Sequence, residues 1–303
     1  MTADASSPPN VLIIGTGLIG ASIGMALRES GVTVWLADTD TDACRLAASR
    51  GAGELFDSAK TPDIVVVAVP PHAVPDVAAR SLALYPDATV TDVASVKAAP
   101  LARLRGLTND TARFVGGHPM AGREVSGPGG ARADLFEDRL WVITGNAGAE
   151  PRRVDDVRWL AKQCGSLIVE LDAAEHDRAV ALTSHTPQIL ASVLAAQLVS
   201  ADPSDVAVSG QGLRDATRLA DSGPDLWSQI IASNAPEIIA VLDKIGVDLA
   251  EIREALAEVS VVPEAELTDA IDPVRRLLER GNDGRRTLPD KHGGAAGEYE
   301  IIP

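Results

Sequence analysis

The chain has 303 residues, with 27 Lys plus Arg against 43 Asp plus Glu, for a formal net charge of −16. A hydrophobic share of 46% is enough for a real core and excludes global disorder, and the length suits one large domain or two ordinary ones. The acidity argues against a broad nucleic-acid or anionic-membrane surface, since nothing would neutralise phosphates, but one local cationic pocket would still admit a small anionic ligand.

Residues 1–10 read as a polar, flexible leader. Val11–Leu27 carries no charge, yet six of its seventeen residues are Gly, Ser or Thr, and no Lys or Arg precedes it. It reads as neither a signal peptide nor a membrane span, and the cytoplasm is the expected location. Its first four residues form a strand candidate, a glycine turn follows, and a helical stretch runs to Glu29 with Gly31 as its stop. Val32–Ala37 is the next strand and Asp42–Ser49 a helix. Asp63–Val69 is apolar almost throughout, as a strand buried on both faces of a parallel sheet should be. Further strand candidates are Thr89–Val93, Arg113–Gly117, Leu140–Thr144 and Leu167–Leu171, with helical segments between most of them. That alternation predicts a Rossmann-type, doubly wound parallel α/β sheet over residues 11–171.

From Asp172 the strand-like runs stop and helical periodicity takes over. Helices are expected over Asp172–Ser200, Val206–Asp221, Asp225–Ser233, Pro236–Val259 and Glu264–Arg280, making an all-helical domain over 172–280. Residues 281–303 read as a mobile tail. Cys44 and Cys164 fit neither a metal motif nor a redox pair, and are expected to be buried free thiols. The five histidines lack metal-ligand spacing, so no metal is expected.

Gly15-Thr-Gly17-Leu18-Ile19-Gly20 is a G-x-G-x-x-G turn between a strand and a helix. Gly15 permits the tight turn, Gly17 leaves room for a pyrophosphate, and Gly20 lets helix and strand pack closely, while the helix N-terminus offers N–H groups to phosphate. Asp38 stands eighteen residues beyond Gly20, where a carboxylate suits a ribose diol and repels a 2′-phosphate, so NAD is favoured over NADP. Leu18, Ile19, Val69 and Pro70 complete the expected cofactor contacts of this turn and the neighbouring strand end.

Three polar segments lie where such a sheet places its site. Ser95 and Lys97 follow one strand, and Gly116-Gly-His118-Pro-Met-Ala-Gly122 follows the next. The glycines around His118 would let backbone and ligand approach, and the Ser95 hydroxyl could fix the His118 tautomer. In the helical part, His176-Asp177 and Ser184-His185-Thr-Pro187 share one segment, where Pro187 should kink the helix and free carbonyls. Arg214 and Arg218 are spaced to share a helix face, and Asp215 is spaced to pair with Arg218. That pattern fits either a surface ion pair or a guanidinium fork for a carboxylate.

These segments, together with GTGLIGASIGMAL, DVASVK, GGHPMAG followed by Glu124, HDRAVALTSHTPQILA and GLRDATRLADSGPDLWSQI, resemble the prephenate/arogenate dehydrogenase family in its own order, from about residue 11 to 280. The resemblance implies a Rossmann domain followed by a helical dimerisation domain, a homodimer, and NAD-dependent oxidative decarboxylation of a dianionic cyclohexadienol in tyrosine biosynthesis. It implies that His118 is catalytic and that Ser95 bridges it to substrate and nicotinamide. It also makes His185 and Arg218 substrate-binding, places Glu124, Asp215 and Arg214 around that arginine, and sets Trp227 at the site edge. Prephenate is the expected substrate and arogenate the alternative. A β-hydroxyacid dehydrogenase would want a lysine early in the helical domain, and Asp172–Ser200 has none. A non-enzymatic NAD sensor would need a partner surface, and none is visible. With a 23-residue tail there is no room for a regulatory domain, so feedback control is not expected.

Overall fold

The computed structural model describes residues 8–122, 125–145 and 147–288. Among these, eight strands form one sheet: β1 (Val11–Ile14), β2 (Val34–Ala37), β3 (Glu54–Leu55), β4 (Ile64–Val67), β5 (Thr89–Asp92), β6 (Phe114–Pro119), β7 (Leu140–Gly145) and β8 (Leu167–Glu170). Their order is β3-β2-β1-β4-β5-β6-β7-β8. The connection from β1 runs outward to β2 while the return enters at β4, so the crevice between β1 and β4 is the switch point where open α/β sheets bind ligands. Helices α1 (Leu18–Glu29), α2 (Thr41–Ser49), α3 (Val74–Leu84), α4 (Ala98–Leu107) and α5 (Pro151–Gln163) cover the sheet.

Alternate residues of each strand feed two cores. Val11, Ile13, Ile64 and Val66 join Leu27, Leu36, Phe136 and Trp141 on one face. Leu12, Val65, Val67 and Val90 join Leu82, Leu104 and Phe114 on the other. Burial on both faces is why these strands read as unbroken apolar runs.

The sheet departs from the parallel arrangement expected of it at one place. β7 pairs antiparallel to β6, with His118 opposite Val142, and β8 then runs parallel to β7. A parallel neighbour needs a crossover helix. Among the described residues, the connection between β6 and β7 carries only the short 3-10 turns Pro128–Gly130 and Ala133–Phe136, and the chain doubles back. β3 is a two-residue edge strand that sequence patterning passes over.

The helical part comprises α6 (Ala173–Val180), α7 (Thr186–Ala196), α8 (Pro203–Ala207), α9 (Gln211–Thr217), α10 (Pro224–Ser233), α11 (Ala235–Val259), α12 (Leu267–Ala270) and α13 (Asp272–Arg286). Asp172 and Glu175 form a capping box that starts α6. α13 continues to Arg286, past the expected end at Arg280. Gly281 and Gly284 lower its propensity, but Arg275–Asp272, Arg275–Glu279 and Arg280–Asp248 ion pairs brace it, the last against α11.

The segment Ala173–Ser200 is long and apolar enough, by length and composition, to cross a membrane. His176, Asp177 and His185 within it are buried against the rest of the chain, so packing inside the protein accounts for that face. Its other face leaves Leu182, Val193 and Val199 exposed, as are Val247, Leu249 and Val261 elsewhere in the helical part.

Candidate active site

The glycine turn sits at the C-terminal end of β1. Gly15 has φ +102°, and a Cβ there would lie 2.3 Å from the carbonyl oxygen of Ala68. At Gly20 a Cβ would lie 2.0 Å from the Gly15 oxygen. Gly17 differs, since a Cβ there meets nothing within 4 Å. Packing inside the protein therefore explains the first and third glycines, and open space at the start of α1 leaves the second for something outside the chain. Gly17 caps α1 without any side-chain hydrogen bond, and no acidic residue occupies the first turn, so the helix N–H groups remain available to an anion. Leu18 and Ile19 are half-buried in that turn.

At the end of β2, Asp38 Oδ2 accepts from Thr16 N at 2.6 Å and Thr16 Oγ1 at 2.8 Å, and Oδ1 accepts from Asp40 N at 2.9 Å. Burial works against its charge, but these donors outweigh it and hold the carboxyl below the ordinary range. Leu36, Ala37, Asp38, Cys44, Arg45 and Phe56 line a cavity of about 280 Å³, in which apolar side chains stand beside one carboxylate and one guanidinium. Both Cys44 and Cys164 are buried free thiols. Val69 and Pro70 follow β4, and beyond them the His72 ring is hydrogen-bonded to Gln229 of α10, tying the sheet to the helical part.

His118 lies near the end of β6. Gly116 and Gly117 before it serve strand packing instead of ligand approach. A Cβ would lie 2.3 Å from Thr144 Oγ1 at Gly116, and 2.8 Å from the Asp92 carbonyl oxygen at Gly117. Ser95 is half-buried in the loop after β5, but it is not what holds the His118 ring. α6 places another imidazole there instead: His118 Nδ1 is 2.8 Å from Nε2 of fully buried His176, with the rings edge to face. His176 Nδ1 is in turn 2.8 Å from Asp177 Oδ1. The Asp177 carboxylate also accepts from Lys97 N and Ala98 N, both at 2.8 Å. It thus caps α4, whose own N-cap residue, Lys97, offers no side-chain bond.

Lys97 is itself buried, with Nζ donating to Asp92 and, at 2.6 Å, to the carbonyl of Gly117. Burial lowers its pKa, with Asp92 and Asp177 opposing. Burial, then His176, Lys97 and His185, push His118 well below the usual imidazole range, so it is neutral at physiological pH.

His185 ends a π-helical turn, Ala181–His185, inserted between α6 and α7. The N–H of Thr186 reaches back to the Ala181 carbonyl, and Pro187, lacking an N–H, begins the next helix. The turn accommodates the carbonyl that Pro187 cannot bond. His185 is 1% exposed, and burial lowers its pKa to about 4, against the pull of Asp177. Asn234 Nδ2 donates to His185 Nδ1 at 3.0 Å and to the Asp177 carbonyl at 2.8 Å. With Nδ1 an acceptor, the neutral ring carries its proton on Nε2, which has no partner among the described residues. A buried N–H without an acceptor forfeits about 1–3 kcal/mol of hydration. Trp227 packs edge-on against this ring, with centroids 6.2 Å apart.

Arg218 lines a cavity of about 640 Å³ with Met120, Ala121 and Gly122, the residues just after His118, and with Arg132 and Arg139. Arg214 does not share its face. α9 stops at Thr217 and Arg218 begins a 3-10 turn, so Arg214 is exposed outside that cavity. Asp215 Oδ1 takes the Gln211 amide at 2.8 Å. Glu124 lies outside the described residues. Sequence reasoning left Lys97, His176, Asp177 and Asn234 out of the site, although the Glu175-His176-Asp177 run at the start of an apolar helical stretch was a signal available for two of them.

Known proteins resemble this chain over most of its length. Residues 23–170 match the family model for the prephenate dehydrogenase nucleotide-binding domain, and residues 172–266 match the model for the prephenate dehydrogenase dimerization domain. The chain is 38% identical to the probable prephenate dehydrogenase NovF of Streptomyces niveus, over 93% of this chain and 78% of that protein. It is 33% identical to the cyclohexadienyl dehydrogenase of Zymomonas mobilis, over 82% of this chain and 88% of that protein. A crystal structure of prephenate dehydrogenase from A. aeolicus, in complex with hydroxyphenyl propionate and NAD+, superimposes with a TM-score of 0.78 at 27% identity, covering 92% of this chain and 100% of that one. The chain belongs to the prephenate dehydrogenase family.

Proposed function

We propose that this member of the prephenate dehydrogenase family is an NAD-dependent oxidoreductase that converts prephenate to 4-hydroxyphenylpyruvate in tyrosine biosynthesis. The observation that carries the reading is a neutral histidine, His118, locked in a buried hydrogen-bond network at the C-terminal edge of a nucleotide-binding sheet. The glycine turn, the α1 N-terminus and the Asp38 cavity fit a dinucleotide, with Asp38 on the adenosine ribose and Ser95, Val69 and Pro70 towards the nicotinamide end. NAD+ supplies the hydride acceptor when bound.

His118 takes the proton of the ring hydroxyl as the hydride leaves the same carbon, and loss of carbon dioxide then aromatises the ring. His185 Nε2–H donates to a substrate oxygen. Arg218, beside the residues that follow His118, grips a carboxylate of the dianion, with Trp227 at the edge of the site. The exposed apolar residues of the helical part, together with its match to a dimerization domain, support a homodimer joined through that part. The kinship with biosynthetic dehydrogenases supports a soluble, cytoplasmic enzyme.

A second reading, arogenate as substrate, is kept because the Zymomonas relative carries the broader cyclohexadienyl name. The test is nicotinamide reduction with NAD+ or NADP+, each against prephenate and arogenate. Turnover of prephenate with NAD+ is expected. Turnover of arogenate alone would transfer the reading to the second substrate, and no turnover of either would overturn it.

A further inference from the structure

Neutrality poses a difficulty for His118. A base so disfavoured as a cation, with the buried Lys97 ammonium close by, is a poor final home for the substrate's proton. The groups around it show where the charge can go. Lys97 and Asp92 face it from β5 and the following loop, His185 faces it from the π turn, and His176 and Asp177 face it from α6. Of these, the one in hydrogen-bond contact with its ring is His176, and behind His176 stands a carboxylate. Lys97 N and Ala98 N are donors only, so Asp177 is the acceptor end of the chain. His176 therefore gives its Nδ1–H to Asp177 and presents a lone pair at Nε2. His118 gives its Nδ1–H to that lone pair, which leaves its own Nε2 bare.

We propose that His176 is a positioning and proton-sharing residue, which fixes His118 in the Nδ1–H tautomer and receives that proton when His118 Nε2 accepts one from the substrate. The proposal rests on His118 being the base. In the step, the substrate O–H bond breaks and an N–H bond forms at His118 Nε2. His118 Nδ1–H passes to His176 Nε2. The hydride electron pair goes to the nicotinamide. His118 ends neutral, and the positive charge rests on His176 beside Asp177, where opposite charge stabilises it.

Removing the relay should move two separately measured quantities. In the wild type, a proton taken up by the hydrogen-bonded pair ends on His118 Nε2 and blocks the base, so activity is lost on the acid side. In His176→Gln only His118 titrates, so the plateau of kcat should fall while the acid limb moves to lower pH. The expected loss is about 10- to 100-fold in kcat, part of the about 10²–10⁴ that a general base supplies. KM should stay within about twofold, as expected for an interaction made only in the transition state.

His118→Ala is measured alongside. If it retains activity within tenfold, the base reading itself fails. If it is dead while His176→Gln keeps wild-type kcat and acid limb, the base stands and the relay is refuted. Imidazole ¹⁵N NMR of the wild-type protein with NAD+ bound needs no variant. It should find His118 protonated at Nδ1 and bare at Nε2, and the opposite tautomer overturns the proposal even if His176→Gln does not fold.

Discussion

Replacing Gly17 by alanine separates binding from folding more cleanly than any other change in the nucleotide turn. In the free protein the added methyl meets no atom within 4 Å, and the backbone at Gly17, φ −68° and ψ −165°, is open to alanine. The unfolded chain loses freedom, a gain of about 0.4–1 kcal/mol, and the poorer N-cap costs a similar amount, so stability should hardly change. With cofactor the same methyl stands where a phosphate must approach the α1 N–H groups. Pushing the phosphate out of reach of one of them forfeits a charge-assisted hydrogen bond of about 1.5–3 kcal/mol. That corresponds to an NAD+ Kd weaker by about 10- to 150-fold.

Calorimetric titration of NAD+ into the apo-protein reads the Kd, and thermal unfolding without cofactor reads the stability. Gly20→Ala is the contrasting control. Its Cβ would lie 2.0 Å from the Gly15 oxygen and 3.0 Å from Ala68 Cβ, so the free protein itself should lose about 1–3 kcal/mol. A Gly17→Ala protein that binds NAD+ within twofold of wild type would refute the reasoning, because the open space at Gly17 would then have nothing to do with phosphate.

Asp38→Asn should raise kcat/KM with NADP+ at least tenfold relative to NAD+, since it removes a full negative charge from a cavity that also holds the cationic Arg45; an unchanged cofactor ratio would mean Asp38 serves only Thr16 and Asp40. His185 is held near pKa 4, while an unfolded histidine titrates near 6.5, so between those values the unfolded chain binds the extra proton. Its contribution, about 3 kcal/mol, is present above pH 6.5 and lost as pH falls towards 4; urea unfolding across that window should show the decline, and a His185→Gln protein should lack most of it. A Val247→Arg, Leu249→Arg double substitution on α11 should shift the sedimenting species from twice 31.5 kDa to 31.5 kDa, and an unchanged mass would place the subunit contact elsewhere.

The nucleotide half was legible because each signal was local. The glycine turn, Asp38 and the apolar runs of β1 and β4 follow one another within sixty residues, and each is dictated by its own backbone. The direction of β7 was not legible, since Leu140–Gly145 has the same alternation read either way and only the length of the preceding connection decides it. The inner support of His118 was illegible for another reason. His118 meets His176 across 58 residues, Lys97 meets Asp177 across 80, and Asn234 meets His185 across 49. No periodicity encodes such meetings, so the serine nearest in pattern was assigned a bond that α6 provides. The separation of Arg214 from the cavity that Arg218 lines was not legible either, because the expected helix ran on past Thr217, where the backbone tightens into a 3-10 turn.

The π-helical turn at Ala181–His185 also marks a cost retained in the fold. It holds one residue more than a continuous α-helix would use, and that residue sets the angular phase of everything beyond it. Deleting a single alanine or leucine from the turn and replacing Pro187 by alanine would let α6 and α7 merge into one unbroken rod with regular backbone bonds. It would also rotate α7 by ~100° against α6, carrying its side chains off the line to Asn234. The shortened protein would be a better helix and an inert enzyme. Selection for thermal robustness alone would therefore be expected to erase this turn, and selection for activity to restore it.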